Sequence, residues 1–341
     1  MTVKDTPVDT AVLGADGPEV GVQGLGCMGM SFAYGPTDTD QARATLERAL
    51  ELGVTLWDTA DFYGAGDNER FLAPLLRTHR DQVVLATKCG LKPTSEGLFG
   101  PRKISNHPDY IRECVDASLS RLGVERIDLY YLHRRDVSVP LEESVGALAE
   151  LVQRGKLRSL GLSEVTGDEL RQAHSVHPIS ALQSEWSLFS RDVERTAVPA
   201  ASELGVAVVP YSPLGRGFLT GSFVRAEKEL GGEDFRSTMP RFTGENAAAN
   251  AALLEPVREV AQRHGASPGQ IALAWVHRRA QVWGTTVVPI PGTRRPARLE
   301  ENTAATRVRL SEEDLALLDP IADRVAGDRY ADMSSTAAGR E

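Results

Sequence analysis

Three short stretches of the chain run apolar and then end on an ionisable side chain: Val54–Asp58 (VTLWD), Val83–Lys88 (VVLATK) and Ile127–His133 (IDLYYLH). Side chains alternate between the two faces of a strand. Asp58 therefore shares a face with Val54 and Leu56, Lys88 with Val84 and Ala86, and His133 with Leu129 and Tyr131. Neighbouring strands lie about 4.8 Å apart, so three adjacent strand ends fall within about 10 Å of one another. Five residues past Asp58, the segment DTADFYG brings Tyr63 onto the following loop. Asp, Tyr, Lys and His at one place suit proton transfer to an oxygen. A phenol with a pKa of about 10 is a poor acid at neutral pH. A lysine cation beside it stabilises the phenolate and is expected to lower that value. The aspartate keeps the lysine charged and in place, and the histidine hydrogen-bonds a substrate oxygen. A strand-end lysine also permits Schiff-base chemistry, so a Lys88 lyase is the competing enzyme class.

The elements needed to hold this quartet can be read from periodicity. Eight strand-like runs occur: Gly24–Met28, Val54–Asp58, Val83–Lys88, Ile127–His133, Ser159–Ser163, Ser180–Gln183, Val206–Tyr211 and Thr286–Ile290. Amphipathic stretches alternate with them: Asp38–Leu52, Glu69–Leu76, Pro108–Leu122, Leu141–Arg154, Gly167–Ala173, Val193–Leu204 and Arg295–Ala305, with residues 247–264 and 267–280 giving two helices before the last strand. Strands alternating with helices imply parallel pairing through right-handed crossovers. Eight such units predict an α/β fold, a closed (β/α)₈ TIM barrel. Residues 11–22 read as an N-terminal hairpin that plugs the bottom. Residues 212–246 form a connection long enough to bind something. An extra C-terminal helix starts after Ser311, and the small, polar stretch Ala331–Glu341 reads as mobile.

Composition narrows the classes. The chain has 341 residues, 41% hydrophobic and 25% charged, and a net charge of −9, which argues against nucleic acid as a partner. No run of 18 apolar residues suggests a membrane span, and the first residues do not read as a signal peptide. Cys27, Cys89 and Cys114 are widely spaced, which fits a reducing cytoplasm and neither a disulfide framework nor a thiolate metal site. His174 and His177 read as a solvated helix end rather than a metal site. Gly24, Gly26 and Gly29 match the pattern G-x-G-x-x-G, but no helix opens there; the chain continues MSFAYGPTDTD. The match is read as a tight first strand and not as a Rossmann turn.

The segments GLGCMGMS, WDTADFYG, ATKCG, YYLHR, GLSE, QSEWSL, VPYSPLGRGFLTG and VPIPGTRRPARLEEN resemble the aldo-keto reductases in order and spacing, over roughly residues 11–325. The resemblance implies one barrel domain, an NADPH-dependent reductase of aldehydes or ketones, and no metal. Tyr63 would be the general acid, tuned by Asp58 and Lys88, with His133 orienting the carbonyl. NADPH/NADP would be held by Gly26 and Met28 near the first strand, by Ser163, Glu164 and Gln183 near the carboxamide, and by the Tyr211 ring on the nicotinamide. The turn Ser212, Leu214, Gly215, Arg216 and Gly217 would meet the pyrophosphate. Gly292, Thr293, Arg294, Arg298, Glu301 and Asn302 would meet the adenosine end, the two arginines favouring a 2′-phosphate. The expected partner is a small carbonyl or alcohol substrate, and the same fold with slow turnover would make a redox-sensing NADP-binding subunit. Many relatives carry Asn where Glu164 stands, and an ionised Glu164 would favour oxidised nicotinamide. Trp186 replaces a frequent Tyr. Candidates for the substrate pocket are Met30, Phe32, Phe62, Leu98, Phe99, the 217–246 loop, Arg329 and Tyr330.

Overall fold

The apolar runs pair side by side in chain order. The computed structural model describes residues 6–92, 103–222, 230 and 234–341; Leu98 and Phe99 lie outside them. The chain opens with a hairpin, β1 (Thr10–Val12) against β2 (Glu19–Gly21). The barrel strands follow: β3 (Leu25–Gly26), β4 (Leu56–Asp58) and β5 (Val84–Cys89). A small antiparallel pair, β6 (Leu91–Lys92) and β7 (Lys103–Ile104), precedes β8 (Ile127–Leu132), β9 (Leu157–Ser163), β10 (Ala181–Glu185) and β11 (Ala207–Tyr211). Seven of these form one parallel sheet in the order β3-β4-β5-β8-β9-β10-β11.

The eighth predicted strand is present only in outline. Pro289 and Pro291 lack an N–H and cannot extend a ladder. The segment closes the barrel through single bonds: Val288 N donates to Val208 O (2.9 Å), Ile290 N to Pro210 O (3.0 Å) and Gly24 N to Pro289 O (2.9 Å). Isolated parallel bridges join Val208 to Val287 and Gly26 to Gly292. The first strand is likewise shorter than expected, giving way to a 3-10 turn at Met28–Met30.

Strand alternation sorts the core into two layers. Leu56, Ala86, Leu129, Tyr131, Ala181, Val209 and Val288 fill the barrel, together with Leu13 and Val20 from the hairpin, which therefore does plug the bottom. Trp57, Leu85, Tyr130 and Leu132 point outward, against helices α1 (Thr39–Glu51), α2 (Asp67–His79), α3 (Pro108–Leu122) and α4 (Leu141–Gln153). The ring continues with α5 (Gly167–Val176) and α6 (Ala197–Leu204). The helix expected over 247–264 is two, α7 (Gly244–Ala252) and α8 (Glu255–His264), because Pro256 favours a fresh start over a continued helix. Then come α9 (Pro268–Trp283), α10 (Pro296–Ala304) and α11 (Glu312–Leu318), the last opened by a capping box between Ser311 and Asp314. The stretch read as mobile lies against the barrel, with Thr336 and Ala337 buried.

Inside the barrel, Tyr131 is fully buried because Gly161 on the next strand has no side chain. A Cβ at position 161 would lie 2.3 Å from Tyr131 Cε1. Gly161→Ala is therefore expected to cost about 1–3 kcal/mol through overpacking. Gly146→Ala, in the interior of α4 with nothing within 4 Å of the added carbon, is expected to stabilise by about 0.5–1 kcal/mol. Urea unfolding of both variants measures the contrast; equal effects at the two sites would contradict the packing described.

Candidate active site

Asp58 ends β4, Lys88 is the next-to-last residue of β5 and His133 follows β8, and all three share the inward face with Leu56, Ala86 and Tyr131. Lys88 is wholly buried and its Nζ pairs with Asp58 Oδ1. The same ammonium donates to Thr59 O at 2.7 Å, and Gln183 Nε2 donates to Asp58 Oδ2 at 2.8 Å. Tyr63 sits above: Lys88 Nζ is 5.3 Å from its ring centroid, and its ring meets that of His133 edge-on at 5.8 Å. The loop carrying Tyr63 is tied down on both sides. Asp61 N donates to Lys88 O (3.2 Å), and buried Asn68 accepts from Thr59 and donates to Cys27 O and Ser31 Oγ.

The electrostatics differ from expectation at one point. Burial raises the Tyr63 pKa; Lys88 pulls it down and Asp58 pushes it up, and the net direction is upward. The expected acidification of the phenol is therefore outweighed by loss of water around it. For Lys88, burial alone would lower the pKa, but Asp58 and Tyr63 reverse this and the net direction is up. An ammonium so held is a poor amine nucleophile, which argues against a Schiff-base role.

A cleft of about 410 Å³ opens over these groups. Asp58, Tyr63, His133, Gly26, Met28, Gln183, Tyr211, Ser212, Leu214, Arg216, Gly217, Gly292, Thr293, Arg294, Arg298, Glu301 and Asn302 all line it. Lys88 lies behind Asp58. Ser163 and Gly215 are buried just behind the wall, Ser163 Oγ accepting from Arg134 Nη1 at 3.3 Å. At one end the turn after β11 takes left-handed backbone at Ser212 (φ 48°), Gly215, Arg216 (φ 56°) and Gly217. At the other, Arg294 reaches across to the first loop and donates to Thr37 Oγ1 (2.8 Å) and to the carbonyls of Gly29, Tyr34 and Gly35. Among the described residues the lining holds six arginines (134, 216, 236, 294, 295 and 298) but two carboxylates, Asp58 and Glu301. Asp58 is paired with Lys88, and Glu301 accepts from Ser267 Oγ at 2.5 Å. The surplus of guanidinium suits an elongated anion.

Glu164 is placed elsewhere. Its backbone is left-handed (φ 54°), and its carboxylate turns away from the cleft to a two-armed bond with Arg329, at 2.8 and 3.1 Å. Burial alone would raise its pKa, but Arg329 holds it far below the usual carboxylate range. The expectation that this charge acts directly on nicotinamide has no geometric basis here, because a guanidinium already neutralises it. Arg134 and Tyr34 join the lining without having been marked by the sequence, while Phe235 and Arg236 belong to the 217–246 loop expected at the pocket. Arg134, next to His133 in YYLHR, is buried and faces the cleft. Tyr34, Phe235 and Arg236 join the first and seventh loops: Phe235 N donates to Ala33 O (3.0 Å) and the Arg236 guanidinium lies 5.1 Å from the Tyr34 ring centre. No periodicity marks loop residues of this kind.

The sequence profile of the Aldo/keto reductase family matches residues 24–323. The chain belongs to this family. A probable aldo-keto reductase from Glycine max is 45% identical over 323 residues, covering 93% of this chain and 90% of that one. Among solved structures, the glycerol dehydrogenase from Gluconobacter oxydans superposes with a TM-score of 0.79 at 28% identity, over 95% of this chain and 97% of that one. A thermostable aldo-keto reductase in complex with the inhibitor epalrestat gives a TM-score of 0.71 at 28% identity, over 92% and 100%. Membership makes the chain an oxidoreductase acting on carbonyl groups, and the barrel is the (β/α)₈ barrel of these relatives. No described helix is long and apolar enough to cross a membrane.

For this aldo-keto reductase, Lys88→Met leaves the Asp58 carboxylate buried without its cation. The expected loss is about 3–5 kcal/mol at neutral pH. Because the Lys88 pKa is raised on folding, its contribution is complete below the unfolded lysine value of about 10.4 and fades only as pH climbs through the folded value. The difference between wild type and Lys88→Met, measured by urea unfolding, should not shrink between about pH 6 and 9, and should widen wherever the stranded Asp58 carboxyl of the variant gives up its proton. A difference that shrinks on approaching pH 9 would refute the assignment.

Proposed function

We propose that the chain reduces the carbonyl of a small aldehyde or ketone with NADPH, Tyr63 protonating the oxygen, and that it runs the reverse reaction on an alcohol with Tyr63 as base. The observation that carries this reading is the group of side chains at the cleft floor: a phenol and an imidazole in edge-on contact, with a buried ammonium beneath the phenol. A raised Tyr63 pKa keeps the phenol protonated across neutral pH, so the donor is loaded when a carbonyl arrives. As negative charge grows on the carbonyl oxygen, the proton moves to it and phenolate develops. Lys88 then stabilises that phenolate, so its charge acts where charge appears during the reaction and not on the resting acid. His133 holds the oxygen toward Tyr63. Phe32, stacked on Tyr63 at 5.9 Å, and Phe62, edge-on to Phe32 at 5.8 Å, give the substrate side an aromatic wall suited to apolar bodies.

The cleft lining fits a phosphorylated dinucleotide. Tyr211 offers a flat ring, Gln183 and Arg134 offer amide and guanidinium to a carboxamide, with Ser163 behind the wall bonded to Arg134, and the Ser212–Gly217 turn with Arg216 suits a pyrophosphate. Arg294, Arg298 and Asn302 would take the 2′-phosphate end. When bound, a reduced nicotinamide supplies the hydride that the carbonyl carbon accepts. The glycerol dehydrogenase among the structural relatives acts on an alcohol by its name, which supports a substrate class of small carbonyls and alcohols.

Tyr63→Phe is expected to cut turnover of an aldehyde panel by about 10²–10⁴-fold, with NADPH binding retained; turnover surviving the substitution would overturn the role given to Tyr63. For wild type, kcat for reduction should stay flat through neutral pH and fall only above about pH 10, where a phenol of raised pKa begins to ionise. Replacing Arg294 and Arg298 together by Ala should abolish the preference for NADPH over NADH. Persisting discrimination in the double variant would move the 2′-phosphate site elsewhere.

A further inference from the structure

The segment after the last helix is bolted to the barrel at one carboxylate. Glu164 accepts five hydrogen bonds: from Arg329 Nη1 (2.8 Å) and Nη2 (3.1 Å), the Tyr211 hydroxyl (2.7 Å), Glu185 N (3.1 Å) and Ala337 N (3.1 Å). A carboxylate accepts at about four lone-pair positions and donates nothing. An amide would turn its NH₂ toward one set of these donors. The Glu164 and Arg329 side chains are 1% and 2% exposed. A left-handed, non-glycine backbone at such a position persists only where surroundings over-determine it. The tail is fastened on both sides of Arg329. Asn250 bonds Ala326 through both N and O, while Arg340 donates to Glu164 O (2.6 Å) and pairs with Glu169 (2.8 Å).

Between these fastenings the tail touches two groups of the cleft wall. Arg329 Nη1 and Tyr330 Oη each lie 3.4 Å from the Tyr211 hydroxyl. Tyr330, itself in the lining, accepts from Arg216 Nη2 at 2.7 Å. The ring and the guanidinium assigned above to nicotinamide and pyrophosphate are thus both positioned by residues 329–330.

We propose that docking of the C-terminal segment and binding of the dinucleotide are thermodynamically coupled, with Arg329 a positioning residue that acts through Glu164 and Tyr211. This rests on the reading that Tyr211 and Arg216 face the cofactor. If tail docking favours the conformation of Tyr211 and Arg216 that binds, binding must favour docking by the same factor. Arg329 suits the task because its planar fork bridges both oxygens of Glu164, which a lysine cannot reproduce.

The test uses the full chain and NADP⁺. Hydrogen exchange of wild type is followed across residues 326–341, without and with saturating NADP⁺, beside a fluorescence titration that gives the dissociation constant. Exchange in this segment is expected to slow on binding. Arg329→Met is expected to weaken NADP⁺ binding by about 5- to 150-fold, with Arg329→Lys between it and wild type and Glu164→Gln loosening the tail. At saturating NADP⁺, kcat of Arg329→Met should fall less than kcat/KM, a split that general loss of structure would not produce. A wild type that binds NADP⁺ with no change in tail exchange overturns the proposal, whether or not the variants fold. A wild type that binds no NADP⁺ removes the cofactor reading on which it stands, and the titration tells the two failures apart.

Discussion

The structure turns on an ammonium ion kept in a place without water. Lys88 has no exposed surface and bonds Asp58 Oδ1 and Thr59 O. Burying such a charge is costly unless it is paired and hydrogen-bonded. The partners must therefore be delivered to within bonding distance by elements other than the one that carries Lys88. β4 brings Asp58 and Thr59, β5 brings Lys88 itself, and β10 brings Gln183 to hold the second carboxylate oxygen. A closed barrel can do this because parallel strands in register put their ends at one level. Asp58 stands opposite Ala86, Lys88 opposite Tyr131, and Gln183 opposite Ser163.

That arrangement was legible because it follows a period of two. Leu56–Asp58, Ala86–Lys88 and Tyr131–His133 each step by two residues from the barrel core to the mouth, and the structure puts every one of these pairs on the inward face. What could not be read came from terms that periodicity does not carry. The eighth strand looked like its neighbours in apolar content, yet Pro289 and Pro291 remove the donors a ladder needs. The lysine beside Tyr63 was visible in the sequence, whereas the burial that outweighs it depends on the whole packed loop. Glu164 followed Ser163 in a motif, and its partner Arg329 lies 165 residues away. Pairings of that separation are set by how the chain returns, not by local pattern.

Strands and loops divide the work differently at the two ends of the cleft. The floor, with Asp58, Lys88 and His133, is built on strands whose positions are fixed by ladders on both sides. The walls come from loops that hold one another. Arg294 bonds four oxygens of the first loop, Asp234 bridges Tyr34, and Arg236 binds Arg216 O at 3.0 Å. All but the last of these contacts join segments far apart in sequence, and the last holds the 212–246 connection to itself. Changes in the walls can therefore alter what binds without disturbing the groups of the floor, as expected where loops ride on a rigid scaffold.

The carboxylate at position 164 shows how the two regimes meet. It follows directly on β9, so its backbone is fixed by the barrel, but its side chain serves the outermost segment. Holding an ionised carboxylate in that interior requires a permanent cation, and Arg329 remains charged at any pH the fold survives. A lone Glu164 would be expected to neutralise itself by taking up a proton; with Arg329 in place it stays ionised and accepts from the Tyr211 hydroxyl. The orientation of a ring on the cleft wall is in this way decided by an ion pair that does not itself line the cleft. The same pair makes the C-terminal segment part of the site's construction, with Arg329 and Tyr330 both reaching the Tyr211 hydroxyl.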